Sequence, residues 1–233
     1  MLKIFKVAPG DTAPHDVAVR EVAYALARGD LALLPTETVY GVGVAVGAYM
    51  RPGANGGGAS VNGMPTPSET TGYGRIFTLK RREVTQTVPW LVDGPAALDR
   101  YGIDVDRRIR ALAEAFWPGA LTLVVPASDA VPPFMRAADG TVALRASASP
   151  VIQTLVKACK SPLAVTSANT HGAPAPASFE AVEGRILEGV DVAVDAGPTV
   201  CSDASTIVGV RDGRVEILRR GALSAEEIAR VAV

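Results

Sequence analysis

The chain has 233 residues, 48% hydrophobic and 20% charged, with 23 lysines and arginines against 24 aspartates and glutamates. That is enough apolar material for a sizeable core in one domain or two small ones, and a formal net charge of −1 excludes a global field recruiting nucleic acid or an anionic membrane. Cys159 and Cys201 form no Cys-x-x-Cys pair, which argues against a zinc knuckle or disulfide framework, and no leader or membrane-spanning apolar run is visible; a soluble, cytoplasmic protein with no membrane partner is expected.

In chain order, Asp16 is placed to cap a helix through Val17, Val22, Ala23 and Leu26 that ends at Gly29, before a strand from Leu31 to Leu34. From Gly47 to Gly74 the chain is rich in Gly, Pro, Ser and Thr without an apolar period, and is expected to be a long loop insertion, with a surface role favoured over a lid. Its glycine run is not followed by Gly-Lys-Ser/Thr and is no Walker loop. A helix over Arg107 to Phe116 stops at Trp117-Pro118-Gly119, and Leu121 to Val125 reads as a buried strand. Strand Thr141 to Arg145 leads through Ser149-Pro150 into a helix to about Cys159, then strand Leu163 to Thr166, with a further helix after Ser178. Ser205 to Val210 and Val215 to Leu218 flank Asp212-Gly213, a hairpin turn, and Ser224 to Glu227 has capping-box spacing. This alternation predicts one α/β domain with a mixed, strongly twisted sheet.

Chemistry-bearing residues fall at the ends of these elements. Leu33-Leu34-Pro35-Thr36-Glu37-Thr38-Val39-Tyr40-Gly41-Val42-Gly43 leaves an apolar strand through a proline into hydroxyls, a carboxylate and glycines. Lys80-Arg81-Arg82 is a cation cluster which, taken singly, is more often a solvated face. Arg145 ends an apolar strand, where a guanidinium can fork onto a carboxylate or form a structural ion pair. Ser167 and Asn169 follow a strand at its carboxyl end, where open α/β sheets hold ligands, although Ser and Asn there also serve as turn residues. Tyr40 packs with a satisfied hydroxyl or lines the same mouth, and Thr141 is either a strand former or a ligand group. His15 and His171 have no dyad spacing, and Asp191, Asp195 and Asp203 read as turn residues, so no metal site is expected.

Taken together, Pro35-Thr36-Glu37-Thr38-Val39-Tyr40-Gly41, Lys80-Arg81-Arg82, Thr141 to Arg145, Ser167-Ala168-Asn169, Ser205-Thr206-Ile207 and Leu218-Arg219-Arg220-Gly221 resemble the YrdC family, the threonylcarbamoyl-AMP synthases of tRNA modification. The family's Lys-x-Arg and Ser-x-Asn patterns appear in the expected order. The resemblance implies a single YrdC-like domain, its sheet flanked by helices, in the short form without an extra C-terminal domain. It implies synthesis of threonylcarbamoyl-AMP from ATP, L-threonine and bicarbonate for modifying adenosine-37, with Mg²⁺ arriving on ATP. Lys80 and Arg82 become the catalytic cations, and ATP is assigned to Lys80, Arg82, Thr141, Ser167, Asn169 and Arg219. Threonine is assigned to Thr36, Thr38, Tyr40, Arg145 and the backbone environment of Val165. Implied partners are tRNA-modification proteins of the TsaB, TsaD and TsaE type, with direct binding of tRNA or double-stranded RNA left open. The chain departs from the pattern in four ways: Glu83 for a proline, Asp93 for a threonine-touching histidine, His171 and Ala175 for serines, and Arg220 for a proline. These departures keep open a divergent paralogue adenylating another carbamate, or a non-catalytic RNA-binding module.

Overall fold

The computed structural model describes residues 2–7, 16–50, 57–61, 63–201 and 203–232. After β1 (Lys3–Lys6), α1 (Asp16–Ala27) buries Ala18, Val19, Val22, Ala25 and Leu26 at helical spacing. Asp16 is its first residue, and Gly29, with φ of 87°, turns the chain toward the sheet in the left-handed region that glycine enters without a Cβ clash. β2 (Ala32–Pro35) and β3 (Tyr40–Ala45) then pair antiparallel around a turn at 36–39.

The expected loop from Gly47 to Gly74 is corrected. β4 (Gly57–Val61) and β5 (Met64–Pro67) form a two-stranded hairpin, and α2 (Gly72–Lys80) starts inside the segment behind Thr71, whose hydroxyl accepts from the Gly74 amide at 3.0 Å. Residues 51–56 and 62 of that segment lie outside the described ones. β4 is exposed along its whole length, so nothing required an apolar alternation there; β5 is anchored by buried Thr66 and Pro67 against the 3-10 turn Pro133–Met135.

β6 (Trp90–Leu91), α3 (Ala97–Tyr101), α4 (Arg107–Phe116), β7 (Leu121–Pro126), β8 (Thr141–Arg145), α5 (Pro150–Cys159) and β9 (Leu163–Ser167) follow closely the expected bounds where these were drawn. Ser149 precedes α5, but its hydroxyl donates to the Pro35 carbonyl at 3.0 Å rather than capping the helix. The helix expected after Ser178 begins only at α6 (Gly184–Glu188). β10 (Val192–Asp195) precedes the hairpin of β11 (Thr206–Arg211) and β12 (Arg214–Arg219), whose Asp212 and Gly213 have φ of 48° and 68°, the two positive values a type I′ turn needs. α7 (Ala225–Val231) carries the full Ser224–Glu227 capping box.

Ten strands build one mixed sheet in the order β1-β10-β2-β3-β9-β6-β8-β7-β11-β12. One face is packed by α2, α3 and α4, with Tyr73, Ile76, Phe77, Leu98, Ile109 and Leu112 against Val42, Trp90, Leu123 and Leu144. On the other, α1 and α5 set Val22, Leu26, Ile152 and Leu155 against Leu34, Ala45, Leu163, Val165 and Val194, and their strand contacts are with β2, β3 and β10. That half-cover leaves a recess over the remaining strands.

Candidate functional site

Strand register assembles the recess from distant segments. Leu91 of β6 pairs with Arg145 of β8; Leu123 pairs with Leu144, which sets Thr122 opposite Arg145; Ile207 pairs with both Thr122 and Arg219. One row across the sheet thus carries Leu91, Arg145, Thr122, Ile207 and Arg219 (Leu91 from β6, Arg219 from β12). With strands about 4.8 Å apart, the Arg145 and Arg219 backbones stand roughly 14 Å from each other, a gap two arginine side chains can close. Thr36, Thr38, Gly41, Val165, Thr166, Ser167 and Ser205 help wall a half-open space of about 80 Å³. No aromatic ring lines it.

At one end, the 36–39 turn is held by its own hydroxyls. Thr36 Oγ1 donates to the Val39 carbonyl at 2.6 Å and accepts from the Thr38 and Val39 amides at 3.2 and 3.1 Å, while Thr38 Oγ1 lies 2.8 Å away. With the Thr36 proton committed to Val39, the Thr38 hydroxyl donates to Thr36, and Arg145 Nη2 donates to Thr38 Oγ1 at 3.1 Å. Arg145 Nε donates to the Gly119 carbonyl at 3.0 Å, and Nη2 stands 2.7 Å from Glu37 Oε1. Burial alone would raise the Glu37 carboxyl, but Arg145, Ser147 and the Ala148 amide outweigh it and hold it below the ordinary carboxylate value. The ion pair weighed for Arg145 is therefore present, with Glu37 as the acid.

At the other end, cations gather without an ion pair among the described residues, although Glu183 lies near enough for its charge to act on Lys80. Lys80 is 2% exposed; its ammonium donates to the Ser167 carbonyl, to the Asn169 carbonyl at 2.7 Å and to Asn169 Oδ1 at 3.1 Å. Burial, then the charge of Arg82, pull its pKa down to about 8. Arg82 donates to Thr166 Oγ1 at 3.1 Å and to the Thr87 carbonyl at 2.5 Å, and its Nε is buried without a partner. Its pKa is lowered by burial and by Arg219. Arg219 Nη2 donates to the Ser205 carbonyl at 2.7 Å and hydroxyl at 3.1 Å, and burial and Arg145 lower its pKa in turn. Among the described residues no carboxylate lies within ion-pair distance of these three. Such a cluster, desolvated and mutually repelling, is stabilised by a bound polyanion.

The sequence-derived residues therefore fall into two sets. Thr36, Thr38, Arg145, Val165, Ser167 and Arg219 line the space, with Lys80 and Arg82 behind its Ser167–Thr166 wall. Asn169 lies beneath, where Nδ2 donates to the Thr170 and Ala173 carbonyls and Oδ1 accepts from Lys80. Two expected positions are corrected. Tyr40 belongs to the core on the opposite face; its hydroxyl donates to the Gly197 carbonyl at 2.8 Å and accepts from the Ala196 amide at 2.9 Å, and burial pushes its pKa up to about 12. Thr141 opens β8 while Arg145 closes it, about 13 Å away at strand rise, and its hydroxyl donates to Asp139 at 2.6 Å. Asp93 lines a separate cavity of about 670 Å³ beside α5, facing Arg100, Lys157 and Lys160. Thr122, Thr166 and Ser205 went unassigned because only register joins them, although Ser205 lay in a recognised block; Thr122 and Ser205 share a 2.9 Å hydrogen bond.

Known proteins resemble this chain in sequence and fold. The model of the Sua5/YciO/YrdC family, described as Telomere recombination, matches residues 66–221. A protein named putative threonylcarbamoyl-AMP synthase from Mycobacterium leprae is 34% identical over 231 residues, 95% of this chain and 92% of the relative. The threonylcarbamoyl-AMP synthase of Pyrococcus abyssi is 29% identical over 213 residues, and the match takes in 91% of this chain but 56% of that relative, so the chain spans little more than half its length. A structure of P. abyssi Sua5 complexed with L-threonine superimposes with a TM-score of 0.81 at 27% identity, over 99% of this chain and 60% of that one. E. coli YciO, at 17% identity and a TM-score of 0.79, shares the fold.

Proposed function

This chain belongs to the Sua5/YciO/YrdC family, and we propose that it makes threonylcarbamoyl-AMP and pyrophosphate from L-threonine, bicarbonate and ATP, for N6-threonylcarbamoyl modification of adenosine-37 in tRNA. The observation that carries this reading is the division of one recess into an end where Lys80, Arg82 and Arg219 have no ion-paired acid among the described residues and a paired end holding Arg145 with Glu37. The first suits phosphates; the second suits a small molecule with its own carboxylate. The relatives named as synthases, and the threonine in the P. abyssi structure, support that choice of small molecule.

In this reading the threonine amine takes up CO2 or bicarbonate to give a carbamate, whose oxygen attacks the α-phosphorus of ATP as pyrophosphate leaves. The protein supplies positioning and charge rather than a nucleophile. Arg219 lines the space and meets the phosphates directly, while Arg82, behind the Ser167–Thr166 wall, adds its charge to that end and holds Thr166. Lys80 adds charge and, through the Ser167 and Asn169 oxygens, keeps the loop after β9 in place. A half-open volume of about 80 Å³ is far below the roughly 300 Å³ or more of typical ligand pockets, so ATP extends beyond it along the open face. Mg²⁺ would come with ATP, held by phosphate oxygens and water; the described lining of the recess offers cations and hydroxyls, and Glu37 beside it is already paired. Transfer of the labile product to tRNA falls to partner proteins of the TsaB, TsaD and TsaE type, in the cytoplasm; among the described residues no helix is long and apolar enough to cross a membrane.

The test is pyrophosphate release from ATP by the purified chain. It is expected to require L-threonine and bicarbonate together, with serine a poorer substrate by about 1 to 3 kcal/mol for the missing methyl. ATP binding without threonine-dependent pyrophosphate at any bicarbonate concentration refutes the reading.

A further inference from the structure

Among the described residues Glu37 is the acid buried against the recess, and the proposed reaction gives it no step. It follows Thr36 on the turn, yet its side chain runs behind the wall, 11% exposed, against an Arg145 side chain that is 7% exposed. The two charges approach to 2.7 Å without the alignment of a hydrogen bond, so Oε1 makes none, while the Ser147 hydroxyl donates to Oε2. A largely buried carboxylate is expensive unless its guanidinium partner stays in place. Arg145 is correspondingly restrained: Nε is taken by Gly119, Nη2 by Thr38 and Glu37. Nη1 has no hydrogen-bond partner among the described residues and is not one of the buried, unpartnered donors.

We infer that Glu37 is a positioning residue: braced by Ser147, it holds Nη2 of Arg145 while Gly119 holds Nε, and it offsets the arginine's charge, so that the arginine presents Nη1 alone to the ligand. This rests on the proposed function for the identity of that ligand. Two consequences follow from the geometry. The carboxylate of the amino acid is held end-on by Nη1 instead of by a two-pronged fork, because both forked edges of the guanidinium are occupied. Glu37 also offsets the charge of Arg145, so the phosphates of ATP gain less from Arg145 than from Lys80, Arg82 and Arg219. Glu37 thereby keeps two anionic substrates from exchanging ends.

Glu37→Gln and Ser147→Ala in the full chain test this with two readouts. The first needs no ligand: in ¹⁵N spectra of the arginine side chains, the Arg145 Nε–H signal, identified by its loss in Arg145→Lys, is expected to exchange slowly in the wild type and at least about tenfold faster in Glu37→Gln, as a released side chain would. Equal protection in both overturns the clamp whether or not the chain is a synthase. The second is kinetic. In Glu37→Gln the KM for threonine is expected to rise about tenfold or more with the KM for ATP within about twofold, and ATP is expected to become a competitor of threonine, because the charge of Arg145 is no longer offset. Ser147→Ala should move the same KM in the same direction by about two- to fivefold. Parallel increases in both KM values, or no increase in that for threonine, overturn the inference, and if Glu37→Gln does not fold, Ser147→Ala decides on the same criteria. Absence of threonine-dependent pyrophosphate from the wild type would instead count against the functional reading and leave the clamp to the spectra.

Discussion

At one end of the recess Arg145 lies 2.7 Å from a buried carboxylate, while at the other Lys80, Arg82 and Arg219 have no acid within ion-pair distance among the described residues. The two ends use the same chemistry for different purposes. A paired buried arginine is part of the fold, because removing it strands Glu37 in a desolvated site. Unpaired cations already cost the folded state something, as their lowered pKa values record, and recover it when an anion binds.

The largest effect expected from this contrast is on stability. Arg145→Ala should destabilise the protein by about 3 to 5 kcal/mol in urea denaturation, the usual cost of leaving one member of a buried pair alone, and adding Glu37→Ala should restore part of the loss. Arg145→Lys should keep the charge and still lose activity, since a point charge cannot reach Gly119, Thr38 and the ligand at once. Next in size is ATP binding. Arg82→Ala should weaken it by about 1.5 to 3 kcal/mol in calorimetry, whereas Arg81→Ala, at an exposed left-handed cap with φ of 51°, should change it little. Equal losses from the two would remove Arg82 from the site.

A smaller effect is expected from pH. Lys80 is charged below its pKa of about 8 and neutral above it, so ATP affinity should fall as pH rises through about 8. A bound polyanion favours the charged form and moves the fall upward in the complex, and Lys80→Arg should remove it, because arginine stays protonated. A flat profile in the wild type would show that Lys80 acts through the loop after β9 alone. The smallest effect should come from replacing the exposed β4 strand, Gly57–Val61, by a short Gly-Ser bridge while keeping the buried Thr66 and Pro67: a change in stability within about 1 kcal/mol.

Much of the fold was readable from residues alone, for physical reasons. β8 and α4 were legible to the residue because their apolar periods are clean and end at Arg145 and at Trp117-Pro118-Gly119. Gly41 faces the recess, and adjacent strand residues point to opposite faces, so Tyr40 could have been assigned to the core once one of the two was placed. Thr141 shares a face with Arg145 by even spacing, but four residues along an extended strand carry it out of the space Arg145 lines, and its hydroxyl is taken by Asp139. The β4–β5 hairpin gave no signal because its pairing is backbone chemistry carried by exposed glycine, serine and proline. Thr122 and Ser205 are joined by a register between β7 and β11, which no local pattern encodes. The Glu37–Arg145 pair was visible only as an unnamed acid near an arginine, since its members are brought together by the sheet rather than by the chain.

Steady-state pyrophosphate release, with ATP and L-threonine varied independently in saturating bicarbonate, tests the division of the recess most directly when run on the wild type, Arg82→Lys and Arg145→Lys. Divided ends predict a crossed result: Arg82→Lys raises the KM for ATP and leaves that for threonine within about twofold, while Arg145→Lys raises the KM for threonine and leaves that for ATP unchanged to the same degree. If both substitutions raise the same KM, or both raise the two together, the recess is a single undivided anion site and its two ends have no separate substrates.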